Sequence, residues 1–275
     1  DLRRVVQTAL ERNRKKYDLQ SKQLKGTEKR DKYKVYGELI NTYGYNLEPG
    51  SKELTALNYY TNEEITIPLD PTQTPGENAQ RYFAKYNKQK RTFEALTELI
   101  QETADDIQYL ESISNALDIA LSEADLAQIK EELMQSGYIR RKHTKKKVKL
   151  TSKPMHYISS DGYDMYVGKN NLQNEELTFS FANGNDWWFH AKGAPGSHVI
   201  VKSGGDELPD RTFEEAGRLA AYYSKNRGAD KVEIDYIQKK HVKKPNGAKP
   251  GFVVYYTNYS LVIDSDISNI KNVQD

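Results

Sequence analysis

The chain has 275 residues, of which 37% are hydrophobic and 29% charged, and its mean hydropathy is −0.85. An aromatic content of 11% and a low share of glycine and proline exclude a disordered or linker-like chain. The absence of cysteine excludes disulfides and thiolate catalysis, and no apolar run reaches the roughly 18 residues of a membrane span. The length predicts one or two globular bodies, and because residue 1 falls within a helical pattern we expect a piece of a longer protein.

The net charge of +2 conceals an uneven distribution along the chain. Residues 139–149, here called the basic tract, carry seven basic and no acidic side chains, whereas the segments before and after it are slightly acidic. Such a tract is either a solvated linker or an anchor on a polyanion, since clustered cations displace counterions from phosphates. The candidate phosphate-binding residues here are Arg140, Arg141, Lys145, Lys146 and Lys147.

Two segments of similar length, residues 1–46 and 77–121, predict long helices. In the second segment, side chains suited to a coiled-coil seam alternate at spacings of three and four: Phe93, Leu96, Ile100, Thr103, Ile107, Leu110, Ser114, Leu117 and Leu121. Residues 1–34 have a net charge of +7 and residues 92–138 of −10. Only an antiparallel pairing brings these charges together, so the sequence predicts a long antiparallel coiled-coil arm spanning residues 1–138.

An insert at residues 47–76 predicts a small β-hairpin at the tip of this arm. Residues 54–60 and 64–68 alternate as strands on either side of a turn. A further helix is predicted from Ser122 to Gln135, with Ser122 and Asp125 as a capping box and Gly137 ending it. Residues 139–150 then form the predicted basic linker.

From about residue 151 the apolar pattern changes to the period of two that is typical of strands. The predicted strands are residues 156–159, 164–167, 177–181, 186–191, 198–202, 231–238, 252–256 and 260–263. One helix interrupts them, with Thr212 and Glu215 as a capping box and a buried face of Ala216, Leu219, Ala220 and Tyr223. Residues 151–275 are therefore predicted to form a compact mixed domain, and the chain as a whole is of the α+β class.

The segment from Asn185 to His198 holds both tryptophans and predicts a strand followed by a Gly/Pro-rich turn. Alternation places Trp187 with Phe189 on one face, which we assign to the core, and Trp188 on the other. Trp188 could then stack on a nucleic-acid base beside a backbone nest at residues 192–196, although a core tryptophan pair is the plainer alternative. The candidate binding residues of this segment are Asp186, Trp188, His190, Lys192 and His198.

Residues 238–251, here called the basic loop, interleave cations with proline and glycine between two predicted strands. The loop is either simply solvated or a phosphate-contacting surface, with Asn246 and Gly247 supplying a tight turn. Its candidate residues are Lys239, Lys240, His241, Lys243, Lys244 and Lys249.

Signatures of catalysis and of cofactor binding are missing from the sequence. No Walker A, G-x-S-x-G or G-x-G-x-x-G pattern occurs, and the five histidines have no metal-ligand spacing. A hydrolase using Ser197 and His198 is disfavoured because neighbouring strand residues point to opposite faces. We therefore expect no enzyme activity, no cofactor and no metal site.

Three stretches of the sequence resemble one protein family. DWWFHAKGAPGSHVIV at residues 186–201, HVKKPNGAKPGFVVY at 241–255 and NAQRYFAKYNK at 78–88 are similar to the NFACT family of ribosome quality-control factors and fibronectin/fibrinogen-binding proteins. The resemblance implies the coiled-coil middle region over residues 1–150, followed by the family's RNA-binding domain, NFACT-R.

The resemblance also implies function and partners. Full-length family members bind large ribosomal subunits that carry an obstructed peptidyl-tRNA, recruit tRNA and support untemplated tailing of the stalled chain. Much of the tRNA contact belongs to a region that precedes this one, so we expect an RNA- and ribosome-binding piece that lacks the tailing activity. Its expected partners are large-subunit rRNA and tRNA in the cytoplasm, without membrane insertion. The alternative is a cell-surface adhesin for fibronectin or fibrinogen, which the hairpin edge would bind by strand addition.

Overall fold

The computed structural model describes residues 1–141 and 149–273. The chain divides into two compact units, of which one is Arg12–Asp106 and the other combines Asp1–Glu11 with Ile107–Asp275. Each unit contains helices and an antiparallel sheet, so the predicted α+β class is confirmed. The coiled-coil arm stays a prediction.

The unit Arg12–Asp106 is built from parts of α1 (Leu2–Lys25) and α3 (Pro75–Ile119), together with α2 (Arg30–Tyr43). The prediction of one unbroken helix over residues 1–46 is wrong. Gly26 follows the last residue of α1, and glycine is a poor helix former. The Thr27 hydroxyl then donates to the carbonyl of Leu24 over 2.7 Å, which stabilises a turn instead of a further helical turn.

The helices of this unit pack in antiparallel fashion. The Thr103 hydroxyl donates to Oε1 of Gln20 over 2.9 Å, and the Arg30 guanidinium lies 4.1 Å from the centroid of the Phe93 ring. Further along, the Phe83 ring lies so close to Gly37 that a Cβ atom there would come within 2.7 Å of it. Residue numbers therefore rise along one side of the pair while they fall along the other.

A two-stranded hairpin, β1 (Glu53–Asn58) and β2 (Glu63–Pro68), lies between α2 and α3, as predicted. Asn62 has a φ of 58° in the turn, a conformation that asparagine tolerates better than most residues. The inward-facing side chains of the hairpin pack against α2 and α3 in one apolar cluster: Leu39, Ile40, Leu54, Ala56, Ile67, Leu69, Ala79 and Tyr82.

In the other unit, the first turns of α1 pack on the last turns of α3 and on α4 (Glu123–Gln135). This core contains Val6, Ala9, Leu10, Tyr109, Leu110, Ile113, Ala116, Leu117, Ile129 and Leu133. The assignment of Leu121 to the predicted seam is wrong, because α3 ends at Ile119 and Leu121 is 84% exposed in the turn that follows. Ser122 caps α4 as predicted, since its side chain accepts from the backbone N–H of Asp125.

The same unit contains a seven-stranded antiparallel sheet, ordered β8-β7-β5-β6-β4-β3-β9. Its strands are β3 (Met155–Ile158), β4 (Asp164–Val167), β5 (Trp187–Ala191), β6 (Val199–Val201), β7 (Val232–Gln238), β8 (Tyr259–Ile263) and β9 (Lys271–Val273). Helix α6 (Asp210–Tyr222) covers one face with its predicted apolar side. The predicted capping box is wrong, because the helix already begins at Asp210, and Thr212 and Glu215 bond to Ser159 and Ser160 instead.

The opposite face of the sheet is covered by α5 (Asn171–Glu176), by the π-helical turn Leu177–Phe181 and by residues that follow the basic loop. The strand predicted at 177–181 is therefore wrong. The strand predicted at 252–256 is also wrong, since these residues make only an isolated bridge between Lys243 and Val254. The short edge strand β9 was not predicted.

Polar contacts join α3 and α4 to α6 and to the segments that flank β3 and β4 within this compact unit. The Asn115 amide donates to the carbonyl of Tyr223 over 3.2 Å. The buried Asp125 carboxylate accepts from the Ser152 hydroxyl at 2.7 Å and from the Lys169 ammonium at 3.1 Å. The boundary predicted at residues 139–150 stays a prediction, and the structure groups residues on both sides of it into the same unit.

Candidate nucleic-acid interface

Strand β5 has a core on each side. Trp188 is fully buried and packs with Leu177, Ile200, Ile237 and Val242. Trp187, on the opposite face, is half-buried and makes an edge contact with Phe213 at 4.9 Å between ring centroids. The predicted alternation is therefore correct, but both faces of the strand are covered.

The hypothesis that Trp188 stacks on an RNA base is contradicted by its burial. The hypothesis assumed that only one face of the strand would be packed. The π-helical turn, Val242 of the basic loop and the residues that follow this loop close the second face. The indole therefore contributes to folding, and no base can reach it without opening this layer.

Asp186 stabilises the turn that precedes β5. Its buried carboxylate accepts from the backbone N–H groups of Asn183 at 2.7 Å and Ser203 at 3.0 Å, and from the Lys202 ammonium at 2.6 Å. These three donors occupy both of its oxygens. Asp186 therefore holds Lys202 in place.

The two histidines predicted beside Trp188 are uncharged at neutral pH. Burial lowers the pKa of His198 to about 3, and its Nδ1 atom lies 2.8 Å from the Thr178 hydroxyl. Burial also lowers the pKa of His190, whose ring stacks nearly parallel to Trp188 at 5.7 Å. Neither ring supplies a cation for phosphate binding.

The turn after β5 places Lys192 at the surface, where its ammonium lies 2.9 Å from the Glu233 carboxylate. The backbone N–H of Lys192 donates to the carbonyl of Glu233, and that of Ser197 to Tyr223. The N–H of Lys192 is therefore not free to hold an anion in the predicted nest at 192–196.

The basic loop is fixed at its beginning by backbone hydrogen bonds. The N–H of Lys239 donates to the carbonyl of Asp186 over 2.8 Å, and that of Lys240 to Gly184 over 3.0 Å. Lys243 and Val254 then exchange two further backbone hydrogen bonds. The loop is therefore attached to the turn that precedes β5 and closed across its own base.

Its end is fixed against α5. Gly251 has a φ of 81°, and a Cβ atom at this position would lie 2.8 Å from the Oδ1 atom of Asn171. Only glycine meets both conditions. The basic loop is therefore held at both ends.

The cations of the loop have different surroundings. Lys240, His241 and Lys243 are exposed, Lys244 forms an ion pair with Glu175, and the Lys249 ammonium lies 4.8 Å from the centroid of the Tyr109 ring. Lys239 lies 6.0 Å from the centroid of Phe179. The structure thus brings all six predicted loop residues onto one ordered segment.

Comparison with known protein families shows which family domain contains the basic loop. Residues 1–152 match the NFACT N-terminal and middle domains, and residues 153–256 match the NFACT protein RNA binding domain. The chain belongs to the NFACT family. The resemblance seen in the sequence motifs is thereby confirmed, and the basic loop lies inside the part that matches the RNA-binding domain of NFACT proteins.

Individual NFACT relatives are similar over the whole chain. The protein named Rqc2 homolog RqcH of Streptococcus pneumoniae is 42% identical over 275 residues, which is 100% of this chain and 49% of that protein. The Bacillus subtilis protein of the same name is 39% identical over 277 residues, 98% of this chain and 48% of its own length. The chain therefore spans about half the length of these relatives.

A solved structure is similar as well. The C-terminal part of the fibronectin/fibrinogen-binding protein from Streptococcus suis has a TM-score of 0.76 and 37% identity, covering 98% of this chain and 96% of that one. The fold described above is thus shared with that structure.

The basic tract is described only at its two ends. Arg141 forms an ion pair with Glu131 on α4, and Arg140 lies beside it. Lys145, Lys146 and Lys147 lie outside the described residues. The role of the tract as a polyanion anchor stays a prediction.

Within residues 1–141 and 149–273, no group of three or more histidine or acidic side chains is arranged to hold a metal ion. Among these same residues, no helix is both long and apolar enough to cross a membrane.

Sequence reasoning missed the rings and cations that surround the π-helical turn. His156, Tyr166, Phe179, Phe181 and Lys202 come together there, and we call this set the aromatic–lysine surface. The five residues are scattered over 47 positions, and residues 177–181 alternate like a strand. No local pattern in the sequence indicates the cluster.

Proposed function

We propose that the chain binds RNA through the basic loop and acts in ribosome quality control. The observation that carries this proposal is a loop fixed at both ends that displays Lys240, His241 and Lys243 to solvent, within the segment that matches the NFACT RNA-binding domain. Because the backbone is already ordered, binding a phosphate there costs little conformational entropy.

A second basic surface lies in the unit Arg12–Asp106 and supports a large RNA partner. Residues 22–34 and 81–91 of the antiparallel helices together carry eleven basic and two acidic side chains, a net charge of +9. Ten of the eleven cations are exposed: Lys22, Lys25, Lys29, Lys32, Lys34, Arg81, Lys85, Lys88, Lys90 and Arg91. Some of these cations have partners within the protein: Lys32, Lys34 and Lys85 lie over tyrosine rings, and Arg81 lies 3.8 Å from Asp70. The two segments nevertheless keep a net charge of +9, which suits the binding of a polyanion.

The partners that we propose are the rRNA of the large ribosomal subunit and tRNA, in the cytoplasm. Membership of the NFACT family supports them, and two separate basic surfaces suit an RNA much larger than a short strand. Tailing of stalled chains belongs, in this proposal, to the full length of the family members rather than to these residues.

The salt dependence of RNA binding tests the role of the basic loop. In a variant with Lys240, Lys243 and Lys244 changed to Ser, we expect weaker binding of a single-stranded RNA, because fewer counterions are displaced. The slope of log K against log salt should fall by about 0.7 for each phosphate that the loop no longer neutralises. Fluorescence anisotropy of a labelled oligonucleotide between low and physiological salt measures it.

The matched control changes three exposed lysines elsewhere, Lys130, Lys153 and Lys231, to Ser. This control alters the net charge by the same amount and should retain most of the slope. If the slope falls equally in both variants, the loop has no special role. If the unmodified chain also fails to co-sediment with large ribosomal subunits, the proposed function is wrong.

Binding of a matrix protein is the second candidate function. A structural neighbour, the Streptococcus suis protein, is described as fibronectin/fibrinogen-binding, and the hairpin β1–β2 has only two strands, so each has an edge without a partner strand in its sheet. Strand addition there would depend weakly on salt, because backbone hydrogen bonds carry it. Fibronectin binding that persists at high salt, without RNA binding, would favour this alternative.

A further inference from the structure

The π-helical turn at residues 177–181 presents an aromatic ring to solvent. The N–H of Ala182 donates to the carbonyl of Leu177 over 2.9 Å, which gives the wide i to i+5 spacing of a π-turn. Such turns are rare and occur frequently at functional sites. Leu177 and Thr178 point into the protein, whereas Phe181 is 41% exposed.

A lysine is held against this ring. The Lys202 ammonium lies 4.6 Å from the centroid of Phe181. It is fixed there by the buried Asp186 carboxylate at 2.6 Å and by the carbonyl of Phe181 at 3.2 Å. Because both acceptors belong to ordered backbone or to a buried side chain, the cation keeps its place without a ligand. The ring and its cation are thus preorganised.

Two further rings continue the surface across the sheet. His156 on β3 and Tyr166 on β4 are directly paired across the strands and stack at 4.4 Å with an interplanar angle of 9°. Tyr166 meets Phe181 edge-on at 4.8 Å. His156 and Tyr166 belong to the cross-strand row that continues through Ile200 to Trp188, and both rings are partly exposed.

The basic loop starts beside the same π-turn. Lys239 and Lys240 donate their backbone N–H groups to Asp186 and Gly184, which follow Phe181 by a few residues. The Lys239 side chain approaches Phe179 of the same π-turn. An aromatic platform on a sheet, with cations along one border, is how single-stranded RNA binds: the base stacks and the neighbouring phosphate pairs with lysine.

We propose that the aromatic–lysine surface binds an unpaired RNA base, stacked against Phe181, while the adjacent phosphates contact the basic loop. This inference rests on the proposed function and specifies its ligand as single-stranded RNA. In this proposal the base stacks on Phe181 and not on Trp188, for which the sequence had predicted stacking. A base in a duplex is already stacked on both sides, so it cannot use this ring.

Substituting Phe181 by leucine tests the inference, because leucine keeps apolar volume and removes the ring. The probe is a labelled oligouridylate of 12 nucleotides, followed by anisotropy at fixed salt. We expect the dissociation constant of Phe181→Leu to rise about 5- to 150-fold, the range for the loss of one stacked base. Phe181→Trp should retain the affinity.

Two comparison ligands separate stacking from charge. An abasic oligonucleotide with the same phosphates, and a duplex of the same length, should bind Phe181→Leu and the unmodified protein equally. Tyr256→Leu, which removes a 77% exposed ring from the same unit, should leave oligouridylate binding unchanged.

The outcomes distinguish the two proposals. If oligouridylate binds the unmodified protein and the three-lysine variant loses this binding while Phe181→Leu does not, the stacking site is wrong and the basic loop stands. If Phe181→Leu weakens binding of the abasic oligonucleotide as much as binding of oligouridylate, the stacking proposal is also wrong. If no RNA binds the unmodified protein, both proposals fail.

Discussion

Trp188 is the largest side chain in the apolar layer between the sheet and the π-turn. It is fully buried, and its ring contacts Tyr255 at 4.9 Å and the edge of His198 at 5.2 Å. Replacing it with alanine would leave a cavity between elements that cannot easily move together, since β5 is central in the sheet.

We therefore expect Trp188→Ala to lose about 3–5 kcal/mol of unfolding free energy. Trp187→Ala should lose clearly less, because its ring is only half-buried against Phe213 and Tyr236. Urea denaturation followed by circular dichroism measures both. Equal losses, or a smaller loss for Trp188, would contradict the packing described here.

The residue pattern of this strand was predictable, but its environment was not. Alternation correctly separates Trp187 from Trp188, since it depends only on the geometry of an extended chain. Whether a face is covered depends on residues such as Leu177 and Val242, which lie far away in sequence. Lys240 and Lys243, in contrast, were placed correctly in an exposed loop, because proline and glycine mark turns locally.

Among the secondary-structure elements, the pair of α2 and α3 depends on the absence of a side chain at one position. A Cβ atom on Gly37 would lie 2.7–2.9 Å from three atoms of the Phe83 ring. Alanine is intrinsically the better helix former by about 1 kcal/mol. The clash outweighs this preference, because both residues are held in a packed interface.

We expect Gly37→Ala to destabilise the unit Arg12–Asp106 by about 1–3 kcal/mol, the usual cost of overpacking. Thermal unfolding followed by helical circular dichroism is the measurement. Gly76→Ala, in the first turn of α3 where a Cβ atom meets nothing within 4 Å, should be neutral or stabilising. If Gly37→Ala behaves like Gly76→Ala, the antiparallel register is incorrect.

Elements with a strong local pattern were predicted well. The hairpin, α4, α6 and most strands lie within a few residues of their predicted positions. The errors occurred where tertiary contacts decide the local conformation. Residues 177–181 alternate like a strand, yet they continue α5 as a π-turn because Leu177 and Thr178 are buried against the sheet. The short β9 was missed because three residues carry no periodicity.

At the scale of the whole molecule, the titration of Glu132 tests whether its compact unit, Asp1–Glu11 with Ile107–Asp275, unfolds cooperatively. Its carboxylate is buried between α3, α4 and α5, where it accepts from the Tyr109 hydroxyl at 3.0 Å. Burial raises the pKa of Glu132 to about 7, although hydrogen bonds from Asn171 and Tyr109 oppose the shift and the nearby Glu175 adds to it. The protonated form is therefore favoured by folding.

The sign of the pH dependence follows from that shift. A carboxyl whose pKa is raised on folding stabilises the protein fully below its unfolded pKa of 4.5, and this stabilisation is lost as the pH rises through about 7. Glu132→Gln removes the titration. Between pH 4.5 and 7, the unfolding free energy of the mutant should therefore increase relative to that of the unmodified protein, by on the order of 3 kcal/mol.

Urea unfolding followed by tryptophan fluorescence measures this difference at each pH, and both tryptophans lie in the sheet. The lowered pKa values of His190 and His198 make stability fall as the pH drops below about 6.5, but they do so in both proteins and cancel. Parallel pH curves would contradict the raised pKa of Glu132 or its unfolding together with the sheet.

The division of the chain into these two units could not be predicted from composition. The sequence predicts a domain boundary at residues 139–150, because the charge and the spacing of apolar residues both change at the basic tract. The bonds of Asn115 and Asp125 to residues beyond the tract depend on side chains that show no pattern in sequence.

One compact unit is discontinuous in sequence, which has a consequence for the order of folding. Residues 1–11 reach their partners near Tyr109 only when the 95 residues between them are looped out. Closing an unstructured loop of that length costs about 4 kcal/mol of chain entropy. The looped segment is itself a compact unit, whose ends are held near each other by the bond between Gln20 and Thr103. Once that segment has folded, the chain entropy of loop closure has already been lost. Val6 and Leu10 then complete their core by a local encounter between neighbouring helix turns.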